Sequence, residues 1–100
     1  MTSRQQKLID LFTEVGAAHH QAFIDTKGYD PEWPIWYADY LIDKLPPLLD
    51  DAAFTRSELI YLLVQCDRQQ VTESPGIKWP KYYAMFFMER YLIEEDEELL

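Results

Sequence analysis

Apolar residues recur at helical spacing in the first quarter of the chain, from about Ser3 to Asp25. At 100° per residue they fall on one broad stripe, and polar residues occupy most of the remaining surface. The stripe consists of Leu8, Leu11, Phe12, Val15, Ala18, Ala22 and Phe23. This pattern predicts an amphipathic helix. Gly28, which follows Thr26 and Lys27, is a candidate left-handed cap that ends the segment.

Prolines punctuate both ends of the second segment. Pro34 moves Trp33 away from helical dihedral angles, so a regular helix is predicted to start at Pro34. Asp30, a little upstream, is a candidate cap. One face of the helix carries Ile35, Ala38, Leu41, Ile42 and Leu45. The pair Pro46-Pro47 then ends it, because proline has no amide hydrogen to donate and restricts the residue before it.

The third helix has the clearest start. Thr55 and Glu58 have the spacing of a capping box, in which each side chain accepts a hydrogen bond from the other residue's backbone N–H. The buried stripe of this helix is predicted to be Leu59, Leu62, Leu63 and Cys66. The helix is expected to fade near Gln70.

The fourth helix, which Pro80 opens in its first turn, carries apolar side chains on nearly every side. Tyr83, Phe86, Phe87 and Arg90 are predicted to cluster on one side, with Met85, Met88 and Leu92 on the other. A helix that is apolar all round lies at the centre of a bundle or against a partner.

The fold class follows from these four segments. No segment alternates apolar and polar residues with a period of two, so we expect no sheet. Four helices joined by short connections predict an all-α fold, a compact single domain that is either an antiparallel bundle or an orthogonal array. The predicted helical domain covers residues 1–93, and residues 94–100 are predicted to form an acidic C-terminal tail.

Composition narrows the class of protein. The 100 residues are 48% hydrophobic, and the net charge of −9 argues against general binding to nucleic acid or to an anionic membrane surface. The single cysteine excludes an internal disulfide, and no apolar run reaches the length of a membrane span. We therefore expect a cytoplasmic protein without a cofactor, whose partner is another protein or a second copy of itself.

The only two histidines, His19 and His20, are adjacent. Helical geometry places His19 about 20° from the centre of the first stripe and His20 about 120° away, so His19 is predicted to be the more buried. His19 is either a core imidazole bonded to a tyrosine hydroxyl or a backbone carbonyl, or a general-base or ligand-binding residue in a pocket. Adjacent histidines diverge on a helix, and the nearby Asp25, Asp30 and Glu32 lack the pattern of a calcium loop, so no metal site is predicted.

Aromatic residues make up 15% of the chain, more than a core of this size readily hides. Trp36 and Tyr40 share a face of the second helix opposite its apolar stripe. Such a face is typical of interfaces and pocket rims, or of a helix packed between two neighbours. The predicted binding residues are His19, His20, Trp33, Trp36, Tyr40 and Met88.

Two short stretches resemble a motif of small uncharacterised bacterial proteins. They are HHQAF at residues 19–23 and DPEWPIWYADYL at residues 30–41. The resemblance implies a bacterial, cytoplasmic protein, and it carries no activity.

The sequence favours a small acidic interaction or regulatory module that presents an aromatic helical surface to a protein partner or to a second copy. The alternative is a small-molecule-binding or catalytic domain with an aromatic pocket around His19. A flat exposed patch of aromatic residues supports the first function, and a concave, partly polar pocket supports the second.

Overall fold

Four α-helices account for most of the chain. The computed structural model describes the backbone of residues 3–98 and the side chains of residues 3–92, and its helices are α1 (Arg4–Ala22), α2 (Trp33–Leu41), α3 (Arg56–Glu73) and α4 (Trp79–Glu98). Two short 3₁₀ turns, Ile24–Thr26 and Pro46–Leu48, lie in the first two connections. Residues 3–98 contain no strand, which confirms the all-α prediction.

Side-chain caps define where α1 and α3 begin. The Ser3 hydroxyl accepts a hydrogen bond from the Gln6 backbone N–H at 3.1 Å. At the start of α3, Thr55 Oγ1 accepts from the Glu58 N–H at 3.1 Å, and Glu58 Oε1 accepts from the Thr55 N–H at 2.7 Å. The predicted capping box is therefore confirmed, and it satisfies backbone donors that a helix start otherwise leaves unpaired.

Helix ends depart from the sequence-based prediction. α1 ends at Ala22, where a 3₁₀ turn takes over, and α2 ends at Leu41 instead of Leu45. Leu45 is nevertheless fully buried, because the turn after α2 keeps it beside the core. Ile35, predicted to share the buried face of α2, is 39% exposed, whereas Ala38 and Leu41 of that face are fully buried and Ile42 packs against the core.

α3 continues to Glu73, about one turn beyond Gln70, where it was expected to fade. The Gln70 side chain explains the extension. Its Nε2 donates to the carbonyl oxygen of Ile77 at 2.9 Å and approaches that of Ser74 at 3.4 Å. These bonds tie the loop between α3 and α4 to the last turn of α3.

The helices form a closed ring. α1 packs against α2 and α4, and α3 packs against the same two helices. The C-terminal parts of α1 and α3 meet the N-terminal parts of α2 and α4 around shared recesses, so neighbouring helices run in opposite directions. The fold is thus the antiparallel bundle of the two predicted arrangements. Its fully buried side chains include Leu8, Phe12, Val15, Leu41, Leu45, Leu59, Leu63, Cys66 and Phe87.

The backbone of α4 remains helical as far as Glu98. Residues 94–98 of the predicted acidic tail are therefore the last turns of this helix. The side chains of the tail, and residues 99 and 100 altogether, lie outside the described residues. Within the part of the chain that is described, no helix has both the length and the apolar composition needed to cross a bilayer.

Candidate functional site

Two neighbouring recesses open at the end of the bundle where parts of all four helices meet. The first, which we call the histidine cleft, has a volume of about 430 Å³, and its walls include Gly16, His19, His20, Lys27, Tyr37 and Trp79. The second, which we call the acidic cavity, has a volume of about 230 Å³ and is lined by Trp33, Tyr37, Asp67, Gln70, Trp79 and Tyr83. Tyr37 and Trp79 line both recesses and so form the partition between them.

His19 is buried in an aromatic environment, whereas His20 is exposed, as the stripe geometry predicted. The His19 ring stacks on Phe23 with ring centroids 4.7 Å apart. The rings of Trp36 and Tyr37 meet it edge to face, at 5.2 and 5.3 Å. Only 6% of the residue is accessible to solvent, so its position is fixed by packing.

The hydrogen-bond partner of His19 is a carboxylate. Its Nε2 lies 3.1 Å from Asp30 Oδ2, and both side chains are largely buried. The sequence-based prediction of a tyrosine hydroxyl or a backbone carbonyl was therefore wrong. Because an ionised carboxylate only accepts, Nε2 carries the hydrogen and Nδ1 keeps its lone pair when the ring is neutral. Within residues 3–92, Nδ1 makes no hydrogen bond.

The loop after α1 brings Asp30 over the helix. Lys27 and Gly28 both have positive φ, 59° and 86°, which turns the chain back towards α1. The Gly28 N–H donates to the Phe23 carbonyl at 2.9 Å, and the Thr26 hydroxyl donates to the Tyr29 carbonyl at 2.8 Å. Gly28 is left-handed as predicted, although it closes this loop instead of capping α1 directly.

Asp30 also stabilises the turn before α2. Its Oδ1 accepts from the Glu32 N–H at 3.0 Å, while Oδ2 faces His19. The prediction of Asp30 as the helix cap is corrected accordingly, because α2 begins at Trp33 and the cap position belongs to Glu32, which makes no side-chain capping bond. Each oxygen of Asp30 thus has its own partner.

His20 points away from His19. Its ring lies so close to Gly28 that a Cβ there would come within 2.8 Å of His20 Nδ1. His20 therefore contributes to the rim of the histidine cleft next to the positively charged Lys27. Within the described residues, no group of three histidine, cysteine, aspartate or glutamate side chains is placed to hold a metal ion.

The aromatic residues of α2 divide between two places. Trp36 and Tyr40 stack at 5.6 Å and lie towards α1, where the Tyr40 hydroxyl donates to the Glu14 carboxylate and Lys44 Nζ sits 4.2 Å from the Tyr40 ring centroid. Both rings are half-buried because α2 packs between α1 and α3, the second of the two arrangements predicted for them. Trp33 instead lines the acidic cavity.

The prediction that the apolar residues of α4 separate onto two opposite sides does not match how the helix packs. Leu92 is buried together with Tyr83 and Phe87, although it was assigned to the opposite side. Met88 is half-buried against the core, and Met85 is 40% exposed. The reason is that α1 and α3 approach α4 from two directions and cover parts of both faces.

The acidic cavity has a carboxylate among its aromatic walls. The Tyr83 hydroxyl donates to Asp67 Oδ1 at 3.3 Å. Burial, with the nearby charge of Asp67 second, raises the pKa of both Tyr83 and Tyr37, so both phenols stay neutral. Burial also raises the pKa of the Cys66 thiol, which packs in the core as the small apolar residue it was predicted to be.

Four residues that line the two recesses were not among the binding residues predicted from the sequence. They are Tyr37, Asp67, Trp79 and Tyr83. Two signals were present in the chain. Trp33 and Tyr37 are four residues apart, as are Trp79 and Tyr83, so each pair lies on one helix face. Asp67, directly after the buried Cys66, is a charged residue at the edge of an apolar stripe.

Comparison with protein-family models, with curated proteins and with solved structures finds no match for this chain.

Proposed function

We propose that the protein binds a small molecule at the end of the bundle, in the histidine cleft and the adjoining acidic cavity. This is the pocket-based alternative that the sequence left open. The observation that carries this proposal is that His19, Tyr37 and Trp79 line one recess between helix ends. The interaction module, by contrast, calls for a flat exposed patch of aromatic residues. The volume of about 430 Å³ lies within the range of about 300–1,000 Å³ that is usual for small-molecule pockets.

The polar groups of the histidine cleft favour binding of a polar ligand. Asp30 fixes the orientation of the His19 ring, as carboxylates do for histidines that bind ligands or transfer protons. Lys27 and His20 provide a positively charged side chain and an exposed imidazole on the rim. The apolar faces of Tyr37 and Trp79 provide stacking surface between these polar groups.

Tryptophan signals in NMR spectra test the proposal directly. The chain has three tryptophans, of which Trp33 and Trp79 line the recesses. A collection of small polar metabolites is added to labelled protein, and a true ligand is expected to shift the Trp79 indole N–H signal in a saturable way.

The chain offers a matched pair of variants for this titration. Gly16→Ala places a methyl group 2.7 Å from Trp79 Cζ2 and should weaken binding, whereas Gly76→Ala meets nothing within 4 Å and should leave it unchanged. If no compound shifts Trp79, or if both variants bind as the parent does, the proposal is wrong.

The interaction module remains a second candidate, because one observation favours it. A groove of about 700 Å³ runs between α3 and α4, with Tyr61 62% exposed on its wall. Gln65 also lines this groove, although its Oε1 atom is buried and has no hydrogen-bond partner in the described part of the chain. A cytoplasmic location and a homodimer likewise stay predictions.

Sedimentation at micromolar concentration tests the second candidate as self-association. If the parent protein forms a dimer through this side, Tyr61→Asp should make it monomeric without loss of helix content. Met88→Asp should instead unfold the domain, because Met88 packs against the core. A strictly monomeric parent rules out the homodimer.

A further inference from the structure

The walls of the acidic cavity are four aromatic rings in a chain of contacts. Trp33 meets Tyr37 with ring centroids 5.0 Å apart and planes at 75°, and Trp79 meets Tyr83 at 5.0 Å and 73°. Tyr37 and Trp79 join the two pairs at 6.2 Å and 52°. These three contacts join the four rings into one continuous aromatic wall of the recess.

Asp67 gives this space a negative charge that no described side chain neutralises through an ion pair. The carboxylate is half-buried, and its hydrogen bond comes from the neutral Tyr83 hydroxyl. None of the six lining residues is cationic, and among residues 3–92 no lysine, arginine or histidine forms an ion pair with Asp67. A carboxylate without a counter-charge attracts positive charge, so the cavity favours a positively charged occupant.

Gln70 can supply a further acceptor to a cation in this cavity. Gln70 Nε2 is already bonded to the carbonyl oxygens of Ile77 and Ser74, so the amide oxygen is the atom that this side chain can still offer. The hydroxyl hydrogen of Tyr83 is directed to Asp67. The Asp67 carboxylate and the Gln70 amide oxygen therefore provide acceptors among aromatic side chains, a combination that suits a quaternary ammonium group.

We infer that the acidic cavity is a cage for an alkylammonium group, with Trp33, Tyr37, Trp79 and Tyr83 as its aromatic walls and Asp67 as its counter-charge. Its volume of about 230 Å³ is below the range of about 300–1,000 Å³ for whole small ligands, so it takes the head group alone. The rest of the ligand passes Tyr37 and Trp79 into the histidine cleft. The cage rests on the proposed function, because the acidic cavity is part of the site proposed there.

Choline and its neutral carbon isostere, 3,3-dimethylbutan-1-ol, form the decisive pair of probes. They have the same shape and differ in the positive charge. Isothermal titration calorimetry and the indole N–H signals of Trp33 and Trp79 follow both titrations. The cage predicts that choline binds at least about tenfold more tightly than the isostere. This comparison uses the unaltered protein and so does not depend on whether a variant folds.

Two variants locate the effect. Asp67→Asn keeps an acceptor for the Tyr83 hydroxyl but removes the charge, and it should weaken choline binding roughly fivefold while leaving the isostere unaffected. Asp43→Asn, at an exposed carboxylate beyond the end of α2, is the matched control and should leave both affinities unchanged. Circular dichroism verifies that each variant has the parent's helix content.

A separate titration determines whether the alkylammonium group belongs to a free metabolite or to a protein partner. A short peptide with a trimethyllysine carries the same ammonium group on a protein chain. Tighter binding of the peptide than of choline assigns the cage to a partner's modified side chain, and weaker binding assigns it to a free metabolite; both results require the cage.

Equal affinities for choline and its isostere, or no saturable binding of choline, overturn the cage. If other metabolites still shift Trp79 in that case, the proposed function stands and only the ligand class is wrong. If nothing shifts Trp79, both proposals fail.

Discussion

Gly16 lies inside α1, where the indole of Trp79 packs directly against it beside the histidine cleft. An alanine in the interior of a helix is favoured over glycine by about 1 kcal/mol, so propensity alone predicts that Gly16→Ala stabilises the fold. The new Cβ, however, would lie 2.7 Å from Trp79 Cζ2 and 3.1 Å from Cη2. Both distances are below the separation of about 3.5–4.0 Å at which carbon atoms attract.

Trp79 cannot retreat freely, because its ring contacts Tyr83 at 5.0 Å and Tyr37 at 6.2 Å. Inserting a methylene-sized group into a packed site costs about 1–3 kcal/mol. The difference between this cost and the gain from helix propensity predicts a net loss of about 1 kcal/mol. For a domain of this size that corresponds to a fall of roughly 4–8 °C in Tm.

Denaturant and thermal unfolding, followed by circular dichroism, measure the effect, and tryptophan fluorescence reports the displaced indole. Gly76→Ala is the matched control, since its Cβ meets nothing and its backbone is not left-handed. It should be neutral or stabilising by up to about 1 kcal/mol, through the entropy of the unfolded chain. The contrary result is that Gly16→Ala raises the unfolding midpoint, as helix propensity alone predicts, and leaves the fluorescence unchanged. That result would show that Trp79 does not lie against α1 and does not form a wall of the histidine cleft.

Three further predictions concern stability. Thr55→Ala should cost about 1 kcal/mol in chemical unfolding by removing the α3 cap, whereas Thr72→Ala in the same helix should cost almost nothing; equal losses would contradict the capping role. Asp30→Asn should cost about 1.5–3 kcal/mol by removing the charge opposite His19, and an equal loss for the exposed Asp25→Asn would show that the pair is not formed. Because burial raises the pKa of Tyr83, the phenol ionises in the unfolded chain first, near pH 10, so stability should fall as the pH rises above about 10. The fall, measured by unfolding at several pH values, should be smaller in Tyr83→Phe, and an unchanged slope would refute the assignment.

The sequence predicts helix starts better than helix ends in this protein. A start depends on residues within one turn, as Thr55 and Glu58 illustrate, and both bonds of that capping box are formed. An end depends on what the rest of the fold offers. α3 gains its last turn beside a loop that Gln70 holds through Ile77, a contact that no local pattern of apolar residues encodes.

The candidate site divides in the same way. Periodicity along α1 is enough to predict that His19 is buried and His20 exposed, because both lie on one helix of known pitch. The partner of His19 could not be found like this, since Asp30 reaches it only after a loop in which Lys27 and Gly28 adopt positive φ. The acidic cavity draws on three helices, so its residues come together only when the ring closes.

Aromatic residues at the end of the bundle are best understood together with Asp67. Packing alone accounts for buried rings such as Phe12 and Phe87, whose ring centroids are 5.6 Å apart in the core. It does not account for Asp67, a half-buried carboxylate that has no cationic partner within residues 3–92, because an apolar residue of similar size would fill that space at lower cost. Ionisable groups that lack a counter-charge are concentrated at functional sites, where a ligand can supply the missing interaction. In the proposed cage, Asp67 is therefore the residue that distinguishes a binding cavity from a gap in the packing, and the charge of the ligand is the property it would select.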